Sequence, residues 1–168
     1  MDASELLIEL YGRIVPLAEQ AVSGLDPDDL KRTPEGANSI GWLVWHLARV
    51  QDHQIAEMFE ADQVWVAPGW ADRFGLEPDP DNIGFGHGPE DIERVRPESA
   101  DALLDYLQEV DARTHRWLRA LVATDLDRVV DDRHDPPVTM GVRLVSVADD
   151  CLQHVGQANY LRGINSTL

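Results

Sequence analysis

Apolar residues recur at helical spacing in four segments of the chain. In the first, from Leu7 to Leu25, they stand three or four positions apart, which is typical of a helix with one buried face. Ser4 is a suitable N-cap, and Gly24 stands where the helix should end. Pro16 lies within this segment and removes a backbone donor, so we expect it to kink the helix or split it in two.

The second helix is predicted to begin at Asn38 or Ser39, both good N-caps, and to continue to Met58. Residues 40–45 are apolar on nearly every side of this helix. We therefore expect its first turns to be buried against more than one neighbour.

The third helix is predicted from about Ser99 to Leu121. The fourth should begin at Thr139, just after two prolines, and continue to about Leu161, with Gly163 as a natural stop. Four helices of this kind predict an all-α protein, a four-helix bundle, in a single domain that spans residues 1–168.

A long segment without helical periodicity, from about Glu60 to Glu98, separates the second and third helices. Its many glycines and prolines argue against a regular element. It is also too aromatic for a disordered linker. Long loops of this kind are usually ordered and functional, so we expect this one to pack across one end of the bundle and to shape a pocket. The candidate wall residues on the loop are Trp70, Phe74, Phe85 and His87.

Composition and charge narrow the possible partners. The net charge of −17 repels phosphate backbones and anionic lipid heads, which excludes nucleic acid and membrane surfaces as favoured partners. No apolar run approaches the roughly 18 residues of a membrane span, and the acidic N-terminus does not resemble a signal peptide. Cys151 is the one cysteine, so no intrachain disulfide can form. A cytoplasmic location is the resulting expectation.

The candidate chemistry centres on the fourth helix, where Asp150 and His154 are four residues apart. That spacing places both side chains on one helical face, within range of a shared ion. Both lie beside an apolar row, so at least one should point inward, where a carboxylate needs a cation. A metal ion held with histidine would supply that cation.

The third metal ligand must come from another helix. His46 lies in the most apolar run of the chain, whereas His53 stands among polar residues seven positions later. One ion cannot reach both, because they are about 10.5 Å apart along the helix axis. His46 is the better candidate, and His53 is assigned to the surface or the pocket wall. Cys151 is three residues from His154 and offers a rival pair, although its position is more typical of the core.

Two histidines and one carboxylate would leave coordination positions open, which is typical of a catalytic rather than a structural metal site. Such an ion lowers the pKa of a bound water or thiol. Residues 84–88 are glycine-rich but follow no predicted strand, so they give little support to nucleotide binding.

Two segments resemble motifs of the DinB-like metalloenzyme superfamily. Residues 38–47, NSIGWLVWHL, look like its second-helix motif. Residues 154–157, HVGQ, resemble its fourth-helix motif, in which a metal ligand precedes the second histidine by four residues. The likeness extends over nearly the whole chain and includes residues 73–76, RFGL, and 84–87, GFGH.

The resemblance implies an up-down-down-up bundle that forms a homodimer and binds zinc or nickel through His46, Asp150 and His154. Asp150 departs from the commonest pattern, since many members have His there and the thiol-dependent maleylpyruvate isomerases have Glu. Characterised relatives include mycothiol- and bacillithiol-dependent transferases and isomerases. The leading hypothesis is therefore an enzyme that acts on a small-molecule substrate with an exogenous low-molecular-weight thiol. The alternatives are a metal-dependent hydrolase and a non-enzymatic binding or stress protein with a vestigial site.

Overall fold

The fold consists of α-helices joined by turns and one short hairpin, which confirms the predicted all-α class. The computed structural model describes residues 1–33 and 38–165. Its elements are α1 Ala3–Tyr11, α2 Ile14–Val22, α3 Pro27–Lys31, α4 Ile40–Met58, a 3₁₀ turn Ala71–Phe74, α5 Pro89–Arg94, α6 Ala100–Ala120, a second 3₁₀ turn Ala123–Asp127, β1 Val129–Asp131, β2 Val138–Thr139 and α7 Met140–Asn165.

The first predicted helix is split in two, as expected from its proline. Pro16 is the third residue of α2, where a backbone N–H would have no partner within the helix. The N-cap differs from the prediction, because Asp2 caps α1 and forms a capping box with Glu5. The hydroxyl of Ser4 instead donates a hydrogen bond to the carbonyl of Leu118 in α6. This contact ties α1 to α6.

The broken first helix, α4, α6 and α7 form the bundle. α4 packs along α7 and also contacts α6, while α7 contacts α2. Residues 40–49 of α4 are buried without interruption, which confirms the predicted burial on several sides. None of the described helices is long and apolar enough to cross a lipid bilayer. Because α4 and α7 are neighbours over much of their length, side chains from both can meet between them.

The caps of the later helices follow the sequence closely. The hydroxyl of Ser39 accepts a hydrogen bond from the N–H of Trp42 at 3.1 Å, and Ser99 caps α6 in the same way. α7 begins at Met140 and continues to Asn165, past the predicted stop at Gly163. A glycine ends a helix when it takes the left-handed conformation, and Gly163 does not take it.

The segment between α4 and α6 is ordered and contributes to the core. Val64, Trp65 and Phe74 are almost completely buried. One regular element does form here, against expectation, because Pro89 stands at the first position of α5, where a helix tolerates proline. The segment therefore belongs to the body of the fold.

A small hairpin before α7 was not predicted. β1 and β2 pair antiparallel, with Val129 opposite Thr139. The carboxylate of Asp131 on β1 accepts hydrogen bonds from Arg133 and from Arg143 of α7, the latter at 2.8 Å. The ion pairs hold the hairpin against the first turn of α7.

Candidate metal centre

His46 lies on the second turn of α4, between two fully buried neighbours. Its own exposed fraction is 6%, against 0% for Trp45 and Leu47. The Ser39 cap fixes the start of this helix, and the apolar residues around His46 hold it against the core. Its imidazole ring faces α7, where its centroid is 4.7 Å from that of His154, with an interplanar angle of 78°.

Asp150 and His154 lie one turn apart on α7. Oδ1 of Asp150 is 3.6 Å from Nε2 of His154. Their side chains are 38% and 20% exposed, respectively, so the α7 side of the site is open to solvent while the α4 side is closed.

The structure brings His46, Asp150 and His154 together, as predicted. Each offers a ligand atom, and the three atoms lie within 4.8 Å of one another. Within residues 1–33 and 38–165, no other group of three histidine, cysteine or acidic side chains meets this criterion. The geometry is that of side chains able to bind a single ion.

Hydrogen bonds at Nδ1 orient both imidazole rings. Nδ1 of His46 donates to the carbonyl oxygen of Ile83 at 2.5 Å, and Nδ1 of His154 donates to Oε1 of Gln157 at 3.0 Å. A carbonyl oxygen can only accept, so each Nδ1 carries the proton. In the neutral rings, Nε2 then has a free lone pair, which is the form that a metal ligand requires.

Trp42 forms an aromatic wall beside both histidines. Its ring stacks on His46 with centroids 4.6 Å apart and an angle of 13°, and it meets His154 edge-on at 6.3 Å. Its Nε1 donates to Nδ1 of His87 at 3.1 Å, and Nε2 of His87 donates to Oδ1 of Asn82 at 3.0 Å. Both nitrogens of His87 are therefore engaged in holding Trp42 and Asn82.

The two histidines of the triad have opposite pKa shifts. The pKa of His46 is lowered, mainly by burial, although its hydrogen bond to Ile83 opposes the change. The pKa of His154 is raised, chiefly by its interaction with the Asp150 carboxylate. His46 is thus held neutral, whereas His154 and Asp150 form a polar pair.

One atom of the triad indicates that a cation fits there. Oδ2 of Asp150 is shielded from solvent and has no hydrogen-bond partner among the described residues, although the rest of its side chain is partly exposed. A shielded carboxylate oxygen without a partner is costly unless a cation satisfies it. Two imidazole nitrogens and a carboxylate oxygen are also a donor set suited to zinc or a similar divalent ion. The residues present therefore fit a metal ion.

The two rivals proposed from the sequence lie elsewhere. Nδ1 of His53 is 3.2 Å from the carbonyl oxygen of Pro80 and 3.0 Å from Nε2 of Gln63. The Cys151 thiol is fully buried and donates to the carbonyl of Leu47, and burial raises its pKa well above the usual value. Neither residue belongs to the group of three.

The four loop residues predicted to line a pocket have different surroundings. Phe74 is fully buried and packs against Trp65 and Tyr106. Trp70 also packs on Tyr106, whereas the side chain of Phe85 is 89% exposed. His87 contacts Trp42 at the edge of the triad. Of the four, His87 is connected to the site by its hydrogen bond with Trp42. A role in a pocket stays a prediction for all four and for His53.

The sequence did not reveal how closely the loop approaches His46. Gly84 has a φ of +90°, and a Cβ atom added there would lie 2.7 Å from Nδ1 of His46. Only glycine fits this conformation and this space without strain. The glycine-rich stretch at residues 84–88 was the sequence feature that corresponds to this close contact. Helical or strand periodicity does not predict which residue such a loop contacts.

Comparisons with known proteins agree with the geometry. The family model of the DinB superfamily matches residues 16–158. A crystal structure of a conserved protein from Enterococcus faecalis is 31% identical, superposes with a TM-score of 0.88 and is matched over 96% of both chains. No curated protein matches the chain. The chain therefore belongs to the DinB superfamily.

Proposed function

We propose that this protein is a metal-dependent enzyme, a transferase or isomerase that uses an exogenous small-molecule thiol. His46, Asp150 and His154 would hold one divalent ion, zinc or nickel. The observation that carries the proposal is the convergence of their ligand atoms within 4.8 Å, with the α7 side open to solvent. When bound, the ion would act as a Lewis acid and lower the pKa of a coordinated thiol or water.

The chain's own residues support this site in three ways. The Nδ1 hydrogen bonds of His46 and His154 hold Nε2 ready to coordinate. Trp42 covers one face of His46 and excludes water from it. The open side next to Asp150 leaves room for a substrate, because three protein ligands do not complete a coordination shell.

The thiol would come from outside the chain. Cys151 is its one cysteine, and its thiol is fully buried with a raised pKa. A thiol in that state is a poor nucleophile, because the thiolate is the reactive form. A homodimeric state and a cytoplasmic location remain predictions from the sequence.

The test is a thiol-transfer assay on an epoxide, an alkyl halide and an enone, with product measured by mass spectrometry. Zinc- or nickel-loaded wild-type protein should turn over one of these classes, and chelation should abolish turnover. His46→Ala should lower activity about 100-fold or more, since changes in residues behind the ligands already cost 10–100-fold. His134→Ala removes an exposed histidine that lies outside the group of three, and this control should retain activity.

The outcomes separate the proposal from its alternatives. Activity that survives chelation and His46→Ala would contradict a metal mechanism. Metal-dependent turnover that needs no added thiol would identify a hydrolase. Metal binding without turnover in any substrate class would favour a binding protein.

A further inference from the structure

Arg49 is a fully buried cation three residues after His46 on α4. Its Nε donates to the carbonyl oxygen of Asn82 at 3.1 Å, and its Nη2 donates to that of Pro80 at 3.0 Å. Both carbonyls belong to residues 80–87, which we call the site loop. The arginine therefore binds the loop backbone through two separate N–H groups.

The site loop also contacts the triad directly. The carbonyl of Ile83, the next along the chain after that of Asn82, accepts the Nδ1 hydrogen bond of His46. Gly84 follows, at a position where an added Cβ atom would lie 2.7 Å from Nδ1 of the same imidazole. The Asn82 and Ile83 carbonyls belong to adjacent planar peptide units that share the Cα atom of Ile83, so an anchor on the first restricts where the second can lie. Arg49 and His46 are thus linked through two adjacent peptide units of the site loop.

The guanidinium itself is fixed on its other side. Nη1 of Arg49 lies 3.4 Å from Oδ2 of Asp52 and donates to the hydroxyl of Tyr106 at 3.2 Å. That hydroxyl donates to Asp52 at 2.8 Å, and the Asp52 carboxylate also accepts the N–H groups of Val64 and Trp65. The ring of Trp65 lies 4.8 Å from the guanidinium carbon. Arg49 is therefore a rigid anchor that joins α4, α6 and the loop.

These contacts exceed what neutralisation of a buried charge requires. Asp52 alone would supply the counter-ion for Arg49, and a lysine could form that pair as well. Lysine carries its three donors on one nitrogen, whereas Arg49 donates to the two backbone carbonyls and faces Asp52 from three separate nitrogens held in one plane. The two loop contacts are thus the part of the network that is specific to arginine.

We propose that Arg49 is a positioning residue for the metal centre. By fixing the carbonyls of Pro80 and Asn82, it holds Ile83 where that carbonyl binds Nδ1 of His46, which keeps the Nε2 lone pair of His46 directed at the site. The proposal builds on the metal-binding function proposed above, but its first consequence is the tautomer of His46 in metal-free protein. That consequence can be measured without metal or substrate.

The test compares Arg49→Lys with Tyr106→Phe. The lysine retains the charge beside Asp52 but cannot reach both loop carbonyls. The phenylalanine removes a hydrogen bond from the same buried network and leaves the loop contacts in place, so it reports the effect of general destabilisation. Long-range ¹H–¹⁵N spectra of metal-free protein, at a pH where the imidazoles are neutral, report which nitrogen of His46 carries the proton. Signals of His46 are assigned by their loss in His46→Ala.

Wild type and Tyr106→Phe should both show His46 protonated at Nδ1, whereas Arg49→Lys should show a mixture of the two tautomers. Zinc affinity, measured by competition with a chromophoric chelator, should fall about tenfold in Arg49→Lys and stay within about twofold in Tyr106→Phe, in line with the loss expected for residues behind metal ligands. Gly84→Ala tests the same link from the loop side if the lysine variant does not fold. It should also disturb the His46 tautomer, while the Arg49–Asp52 pair is untouched.

An unchanged His46 tautomer in folded Arg49→Lys would overturn the positioning role, even if the wild-type enzyme binds zinc and transfers thiols. If that variant does not fold, an unchanged tautomer in Gly84→Ala would overturn it, because the site loop would then not determine which nitrogen of His46 carries the proton. A tautomer change in Arg49→Lys together with wild-type protein that has no thiol-transfer activity would support the positioning role and refute the proposed function. The two failures are therefore distinguishable.

Discussion

Oδ1 of Asp150 lies 3.6 Å from Nε2 of His154, one helical turn away, while Oδ2 of the same carboxylate has no hydrogen-bond partner among the described residues. The first contact raises the pKa of His154. Oδ2 is a shielded carboxylate oxygen without a partner, and a nearby cation would stabilise it. The pair is therefore organised to favour positive charge between α4 and α7.

Asp150→Asn should weaken zinc binding while preserving the fold. The amide has nearly the shape of the carboxylate but lacks its charge, so the ion loses its one anionic ligand. We expect affinity to fall at least about tenfold, measured by chelator competition. Asp149→Asn is the matched control, because this neighbouring carboxylate is exposed and accepts a hydrogen bond from Gln153. Equal affinity in the two variants would show that Asp150 is not a ligand.

The triad was predictable from sequence because its signals are local and periodic. Asp150 and His154 are four residues apart, which specifies one helical face. His46 stands in a run that is apolar on all sides, so its burial followed from the neighbours. The cap at Ser39 was predictable because capping depends on residues within one turn, although the same reasoning chose Ser4 for α1, where Asp2 is the cap.

The residues behind the triad were not predictable in this way. Arg49 is fully buried, yet an arginine in a helix is ordinarily exposed, and its partners lie about 30 residues later in an aperiodic loop. The approach of Gly84 to His46 depends on loop conformation that no periodicity encodes. The β1–β2 hairpin was missed because its strands are shorter than any pattern of alternation.

His87→Phe should destabilise the protein by about 1–3 kcal/mol, because it leaves a buried donor without an acceptor. Nε1 of Trp42 donates to Nδ1 of His87, and Trp42 is 5% exposed. Phenylalanine retains the ring stacked on Trp45 but cannot accept this hydrogen bond. His87→Gln restores an acceptor and is the control. Urea unfolding gives the free energies, and equal values for the two variants would show that the hydrogen bond contributes little.

Asp131 should make stability depend on pH below about 4. Its hydrogen bonds with Arg133 and, to a smaller degree, with Arg143 lower the pKa of its carboxyl in the folded protein far below the ordinary value. In the unfolded chain this pKa is about 3.9. A depressed folded-state pKa contributes stability above the unfolded pKa, and that contribution is lost as the pH falls toward the folded value. The free-energy difference between wild type and Asp131→Asn should therefore be largest at neutral pH and shrink below pH 4. Asp132→Asn, an exposed neighbour, should show no such change.

Cys151 should be inert in the folded protein and dispensable for metal binding. Its thiol is fully buried and donates to the carbonyl of Leu47. Its pKa is raised, mainly by burial. Both effects suppress the thiolate that reacts with disulfide reagents. Native protein should therefore fail to react with such a reagent until urea unfolds it, and Cys151→Ala should bind zinc with wild-type affinity. Rapid reaction of the native thiol would contradict its burial. Weaker zinc binding in the alanine variant, with the free energy of unfolding unchanged, would make Cys151 a ligand alongside His154, because loss of a ligand lowers affinity without requiring a loss of stability.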